Sequence, residues 1–466
     1  MFNNKLRKLV RDPKLFFSDM AANQARKLGK FRFKKEDGQY NYTVVSAVYN
    51  VSAFLDDYFQ SFVNQRLNFK KHIQLILVDD GSTDNSAEII KRWQKKYPNN
   101  ITYINQENAG QSAARNNGLQ HVTTEWVTFI DPDDFVDANY FYNLDSFLYQ
   151  HQDKDIKMVG CNIIMFYEAN NQYKSAHPLG FKFKKGNQLV PLGSMEKEIQ
   201  LSASTAFFRA DIISTKEVFF DAKVKPNFED AHFVARYLQG DKSGHAAFLE
   251  HSKYYYRKRE DGSSTLDTSW TKKERFLNVP EYGYLNVLKS YHEKEGVVPV
   301  NIQRTIIYEI VWYLKWLTNH GERSAFLTSD EKRKFISKLK EIFFFLDKNT
   351  IMNFELAGAW FFQKVAMLSF FKGLQPDAQI VYVEKYDHYK HMVQLRYFTS
   401  TLNLEQILLD GKDIVPAYVK TIRHDFMDET LILERRLWVA LGDAQQINIS
   451  VSHLPTRLSL GGKQYK

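Results

Sequence analysis

Apolar and polar positions between residues 42 and 130 alternate between two periods. Residues 42–48 form an apolar, β-rich run. In residues 52–66, Phe54, Leu55, Tyr58, Phe59 and Phe62 then recur at helical spacing. A short apolar strand is predicted at 73–78. It is followed by a helix opened by Asp84 and carrying Ala87, Ile89, Ile90 and Trp93. A strand at 101–104, a helix at 110–120 and a strand at 126–130 complete the run. Strands and helices alternating at this spacing predict a mostly parallel sheet covered on both faces. Such sheets bind ligands beyond the carboxyl ends of their strands.

The texture then changes. Residues 135–259 read as mixed α+β, with strands at 156–166, 201–209 and 245–257 and a helix at 228–238. Residues 269–373 are mostly helical in spacing. One stripe runs through Ile306, Ile307, Ile310, Val311, Leu314 and Leu317, and another through Ile336, Leu339, Ile342, Phe343 and Leu346. Both stripes suit helix–helix core. Strands return at 380–383, 392–398, 437–441 and 447–451, which predicts a small sandwich-like module. The final stretch, Leu458-Ser459-Leu460-Gly461-Gly462-Lys463, reads as another strand and turn, so the natural protein is expected to continue beyond Lys466. The predicted segments are 1–38, 39–265, 266–376 and 377–466.

At 466 residues the chain exceeds one ordinary core, and 44% hydrophobic residues argue for folded domains rather than disorder. The net charge of +9 is concentrated: residues 1–35 hold eleven lysines and arginines against Asp12 and Asp19, itself a net of +9. Leu15, Phe16, Phe17 and Met20 give that arm an apolar side, which predicts contact with an anionic membrane face or a polyanion; a helix docked on its own protein is the alternative. No nucleic-acid-binding motif accompanies it, so nucleic acid is not an expected partner. The single cysteine, Cys161, excludes a disulfide framework and fits a reducing compartment. The N-terminus carries no uninterrupted apolar stretch of signal-peptide type. Residues 354–374 come nearest to a membrane span, but Glu355, Gln363, Lys364 and Lys372 interrupt them and predict a buried or surface-lying amphipathic helix. The expected location is cytoplasmic, at the inner face of the cell membrane.

Two acidic clusters fall at predicted strand ends. Asp79-Asp80-Gly81 follows the second strand, and Asp131-Pro132-Asp133-Asp134 follows the fourth. Clustered carboxylates are costly unless a positive group sits among them, and a divalent metal with a phosphate-bearing ligand is the expected neutraliser. A solvated turn in which Asp133 and Asp134 cap the next helix is the alternative on those residues alone.

In order along the chain, Asp79-Asp80-Gly81-Ser82-Thr83-Asp84, then Glu107-Asn108-Ala109-Gly110-Gln111-Ser112-Ala113-Ala114-Arg115-Asn116-Asn117-Gly118, then Asp131-Pro132-Asp133-Asp134 resemble the motif series of family 2 glycosyltransferases. The resemblance covers residues 42–259. It implies an α/β, Rossmann-like GT-A catalytic domain and an inverting transfer from a nucleotide-sugar, with UDP the expected nucleotide and Mn²⁺ or Mg²⁺ the cofactor. By position it puts Asp79 at the nucleobase with Asp80 assisting, Asp131 near the ribose and sugar, and Asp133 at the metal. Arg115 and Asn116 would brace the nucleotide pocket or the donor sugar. Tyr49, Asn50 and Gly110 belong to the same expected donor site. Asn227-Phe228-Glu229-Asp230 resembles the family's Glu-Asp motif, which makes Asp230 the expected general base and Glu229 its neighbour. Carboxylates stabilised at a helix start are the bland alternative.

The Tyr-Arg-Lys-Arg segment at 256–259 resembles bacterial capsule and wall-polymer members, and implies Arg257 and Arg259, with Ser263, as a diphosphate clamp. A basic surface strand is the alternative. Ser204, Thr205 and Arg209 are expected on the acceptor side. The usual proline before Tyr49-Asn50 is absent, as is the Gln-x-x-Arg-Trp segment of processive membrane synthases. The expected reaction is therefore sugar transfer to a hydroxyl of a surface glycan or polyol-phosphate polymer. A non-catalytic sugar-nucleotide or polyanion-binding scaffold is the competing expectation. The helical region offers surfaces for an oligomer.

Overall fold

Every residue of β1 (Tyr42–Val48) except Ala47 is buried, as a strand covered on both faces requires. The structure is a computed structural model describing residues 34–259, 268–402 and 405–460. The chain divides into two compact units, Met1–Ser269 and Trp270–Lys466.

In the first unit β1 leads to α1 (Leu55–Val63), β2 (Ile73–Asp80), α2 (Ser86–Lys96), β3 (Ile101–Gln106), α3 (Gln111–Leu119) and β4 (Trp126–Thr128). Then come β5 (Phe135–Val136), α4 (Tyr140–Gln150), β6 (Ile156–Tyr167), β7 (Gln172–Lys174), β8 (Gln188–Pro191), β9 (Ala206–Arg209), α5 (Glu229–Leu238) and β10 (His245–Lys258). The sheet order is β3-β2-β1-β4-β9-β6-β10-β5, with β7 on β6 and β8 on β10. β3, β2, β1 and β4 are mutually parallel, and β9 enters antiparallel between β4 and β6. The first half therefore follows the alternation of strand and helix, and the second half is mixed.

Register sets the functional edge. Val48 lies beside Asp79, and Asp80 beside Gln106. Thr128 pairs with Val44, and Asp131 follows three residues on. Both acidic clusters thus emerge on one end of the sheet. β4 stops at Thr128 although Phe129 and Ile130 are fully buried; the Ile130 carbonyl accepts from the Ser46 hydroxyl instead of continuing a ladder. β9 is shorter than the predicted 201–209 strand, because the Gln200 amide binds the Ser202 carbonyl and Thr205 Oγ1 and turns the chain before Ala206.

Helices α1, α2 and α4 cover one face of the sheet through Leu55, Tyr58, Phe59, Ile90, Trp93, Phe141 and Leu144. On the other face Ala114 of α3 and Phe233, Val234 and Tyr237 of α5 join one core with Val45, Ile76, Val78 and Phe129. Gly118 makes the approach of α3 feasible: a Cβ there would stand 2.4 Å from Val45 Cγ1. Only Lys34 and Lys35 of the basic arm are described, and Lys35 donates from Nζ to the Val63 carbonyl at 2.9 Å. The proposed amphipathic helix of the arm lies outside the described residues.

The second unit joins the helical and β-rich segments. After α6 (Asn286–Glu295), helices α7 (Val300–Leu317) and α8 (Ser329–Phe344) carry the predicted stripes on buried faces, with Leu346 buried just past the end of α8. A Thr328–Glu331 capping box starts α8. Residues 354–374 are split among a short 3₁₀ turn, a six-residue helix and a π turn, with Val365, Ala366, Met367 and Leu368 fully buried. No helix among the described residues is long and apolar enough to cross a membrane.

β11 (Gln379–Asp387), β12 (Met392–Thr399), β13 (Glu405–Leu409), β14 (Lys412–Ile414), β15 (Tyr418–Phe426), β16 (Glu429–Ala440), β17 (Ile447–Val451) and β18 (Thr456–Leu460) form two sheets. Their orders are β15-β16-β12-β11-β18 and β14-β13-β17. One core of Val381, Leu395, Tyr397 and Leu437 with Ile407 and Ile449 closes them into a sandwich. Phe426 packs on Phe335 of α8, and Asp428 pairs with Lys332 at 2.8 Å.

Candidate active site

The turn after β2 is held from both sides. Gly81 adopts φ +76, and Asp79 Oδ1 accepts from Ser82 N–H at 2.9 Å while its Oδ2 accepts from Tyr103 Oη at 3.0 Å. The Tyr103 hydroxyl is pushed up to about 12 by burial and by that carboxylate. Asn50 Oδ1 receives Thr83 N–H at 2.8 Å and its own N–H donates to Ser82 Oγ, which latches the end of β1 to the same turn. Tyr49 beside it is half exposed. Asp84 Oδ1 accepts from the N–H of Ser86, the first residue of α2.

Asp80 is turned elsewhere. It is buried and accepts from Gln106 Nε2 at 2.7 Å and from the N–H groups of Ala109 and Gly110 at 2.8 Å each. Three donors therefore lock the loop that starts α3. Gly110 has φ +91 with open space around its Cα, a conformation that favours glycine.

From that anchored start, α3 projects Arg115 into the centre of the site. The guanidinium is 2% exposed, donating from Nη2 to Asp131 Oδ1 at 2.8 Å and from Nη1 to Asp230 Oδ1 at 2.5 Å, with its carbon 5.0 Å from the Phe220 ring centre. Gln111 also reaches Asp131 Oδ1, at 3.2 Å. Asn116 points away, exchanging two hydrogen bonds with the backbone of Phe220. Asp230, in the first turn of α5, has its other oxygen fixed by Ala203 N–H at 2.8 Å.

Burial raises Asp131 to about 6, with Arg115 opposing and Asp133 and Asp230 adding to the rise. Burial raises Glu229 to about 8, with the Asp230 charge adding to it, and Glu229 Oε2 is buried with no hydrogen-bond partner.

Asp133 Oδ2 pairs with Arg259 Nη2 at 2.6 Å. Asp134 does not cap a helix. It is buried, accepts from Tyr254 Oη at 2.6 Å and Arg257 N–H at 2.7 Å, and is raised well above the usual carboxylate range by burial and by Asp133 and Asp131. Arg257 is 5% exposed, with its guanidinium shared among the Asp133 carbonyl at 2.7 Å, Glu168 at 2.9 Å and Asp57 at 3.0 Å. Its fork thus braces the Asp133 turn against α1 and β6's end. Ser263 lies outside the described residues.

Ser204 and Thr205 are buried close to the Ala203–Asp230 link. The expectation for Arg209 is corrected: it pairs in register with Trp126, at the opposite end of β4 from Asp131, and forks onto Asp211. Antiparallel entry of β9 puts that residue on the far edge. Gln111 was visible in the motif but without a role, and the Ala203 N–H, a backbone group, leaves no trace in residue type.

Residues 43–213 match glycosyl transferase family 2. Over 312 residues the chain is 30% identical to the minor teichoic acid biosynthesis protein GgaA of Bacillus subtilis (strain 168), covering 66% of this chain and 68% of GgaA. It is 31% identical to the minor teichoic acid biosynthesis protein GgaB of the same organism, covering 67% of this chain but only 33% of GgaB. The chain thus spans about two thirds of one relative and one third of the other. Among solved structures, S. aureus TarS 1-349 in complex with UDP-GlcNAc superposes with a TM-score of 0.53 at 18% identity, covering 71% of this chain and 86% of that one, a likeness that shows the GT-A fold.

Proposed function

The chain belongs to glycosyl transferase family 2, and on that premise we propose that it transfers a sugar from a UDP-sugar, with inversion, to a hydroxyl of a bacterial wall polymer. The observation that carries the reading is the single buried Arg115 joining Asp131 and Asp230 across the open end of the sheet. The names of GgaA and GgaB support teichoic acid as the acceptor class, and the UDP-GlcNAc complex of TarS supports UDP as the donor nucleotide.

In this mechanism Asp79, at the end of β2, receives the nucleobase. Asp131 faces the ribose and sugar, held in place by Arg115 and Gln111. Asp230 accepts the proton of the attacking hydroxyl, its two oxygens oriented by Arg115 and Ala203 N–H. Glu229 stands beside Asp230 with its carboxyl raised by burial and by the Asp230 charge.

Among the described residues no three Asp, Glu, His or Cys side chains assemble as a metal site. We place a hard cation at Asp133, with the diphosphate supplying its further oxygens. Arg259 pairs with that carboxylate at 2.6 Å, so a metal bound at Asp133 would share or displace its guanidinium. Bound there, Mg²⁺ or Mn²⁺ would offset the charge that builds on the departing UDP. The basic segment 1–35 supports a location at an anionic membrane face or along an anionic polymer.

The test is UDP release from a panel of UDP-sugars with teichoic acid polymer as acceptor, for the native chain and for Asp230→Asn. Turnover with one donor, lost in Asp230→Asn, is expected. Full activity in that variant would remove Asp230 as base, and no turnover across the panel would leave a binding scaffold.

A further inference from the structure

The stretch that enters β9 has an unusual constitution. Residues 198–205 form neither helix nor strand, yet Ile199, Gln200, Ala203, Ser204 and Thr205 are all buried. Buried irregular backbone must find partners for its N–H and C=O groups. Here side chains meet Ile199 C=O, Ser202 C=O and Ala203 N–H, while backbone groups meet Ile199 N–H, Ala203 C=O and Thr205 C=O. Lys182 donates from Nζ to the Ile199 carbonyl and to Gln200 Oε1, both at 2.8 Å. Gln200 Nε2 in turn donates to the Ser202 carbonyl at 2.8 Å and Thr205 Oγ1 at 3.0 Å. The next link is Ala203 N–H on Asp230 Oδ2.

Lys182 is 5% exposed and makes no ion pair among the described residues. Its Nζ lies 4.6 Å from the centre of the Phe248 ring, and the titratable groups around it are Glu198, Cys161 and His177. Gly160 on β6 leaves the space: a Cβ there would stand 2.8 Å from Phe248 and 2.9 Å from Gln200 Oε1. Burying an ammonium without a paired acid is expensive, and the Ile199 carbonyl and Gln200 Oε1 are the acceptors that offset it. Burial draws it down to about 7, so near neutrality it holds its charge weakly.

We infer that Lys182 is a positioning residue for Asp230, acting through Gln200 and the Ala203 N–H. Arg115 sets one carboxylate oxygen from α3, and the Lys182-held loop sets the other. The inference rests on the reading of Asp230 as base given above.

Lys182→Met keeps the stem and removes the donors, Gln200→Leu removes the next link, and Gly160→Ala displaces Gln200 from the opposite side. Two measurements test the chain of contacts. The first, amide hydrogen exchange, needs no substrate: in Lys182→Met the Ala203 amide should exchange about tenfold faster while the β1 and β2 amides keep their protection. The second is UDP release with the donor selected by the panel. In Lys182→Met, kcat should fall about tenfold with the donor KM within about twofold, since small displacements of a reacting group are costly in rate. The Lys182→Met/Gln200→Leu double variant should be no worse than the weaker single. Unchanged Ala203 exchange, an unchanged kcat, or additive losses in the double variant would each overturn the assignment. Retained activity in Asp230→Asn would instead sink the base itself, leaving the exchange result to report on the Lys182 link alone.

Discussion

Arg115 and Asp230 lie 115 positions apart in the chain and 2.5 Å apart in the fold. The same guanidinium holds Asp131, so removing it leaves two carboxylates facing each other around one buried gap. Breaking a buried pair from one side costs about 3–5 kcal/mol. Arg115→Met is therefore expected to lower the urea midpoint clearly and to cut turnover by about a hundredfold or more. Arg115→Lys carries the charge but lacks the fork that spans both acids, and should recover stability more than rate. Chemical denaturation with UDP-release kinetics checks both; wild-type turnover in Arg115→Met would show that neither acid needs it.

A different dependence is expected at Asp133, whose carboxylate is shared with Arg259. Asp133→Asn should leave the fold intact and raise the Mn²⁺ or Mg²⁺ concentration for half-maximal rate by about tenfold or more, the usual scale for a weakened metal shell. Calorimetry of UDP binding with and without Mn²⁺ gives an independent readout. Equal UDP affinity in the two conditions would remove the cation from the site.

Stability should also respond to pH through Glu229. Its carboxyl is raised from the ordinary value near 4.5 to about 8 by burial and by Asp230. The folded chain therefore holds a proton there that the unfolded chain releases, and stability falls as pH rises from about 4.5 to about 8. Asp131, raised to about 6, adds a loss of the same sign between about 4 and 6. Glu229→Gln, which keeps the neutral shape, should flatten the decline of the thermal midpoint between pH 5 and 8. An identical slope in wild type and variant would show that Glu229 is charged in the fold.

Much of this architecture was legible because it is local. The strands and helices from β1 to α3 follow from periodicity, since each is covered on both faces or lies with one face on the sheet. What escaped depends on partners far away in sequence. Nothing in Thr128-Phe129-Ile130 announces that Ser46 will take the Ile130 carbonyl, and nothing in Ser202-Ala203-Ser204 announces a turn fixed by Gln200. Arg257 and Arg259 read alike in a basic run. Only the fold commits the first to Glu168, Asp57 and the Asp133 carbonyl and the second to the Asp133 side chain. Arg209 read as acceptor-facing because the direction of β9 is invisible in its composition.

Asp79 and Asp80, adjacent and alike in sequence, should behave differently when changed. Asp80 holds Gln106, Ala109 and Gly110 with three hydrogen bonds from a buried position, and each bond to a charged acceptor is worth about 1.5–3 kcal/mol. Asp80→Ala should accordingly destabilise the unit by several kcal/mol and release the loop that aims Arg115. Asp79 makes two bonds, to Ser82 N–H and Tyr103 Oη, and Asn in its place keeps an acceptor for one of them. Asp79→Asn should thus keep a near-native thermal midpoint and weaken UDP binding by about tenfold, the size of one charge-assisted hydrogen bond to the base. Thermal unfolding and UDP calorimetry on the two variants separate the roles. If Asp79→Asn binds UDP with native affinity, the end of β2 is a structural turn and the nucleobase is held elsewhere.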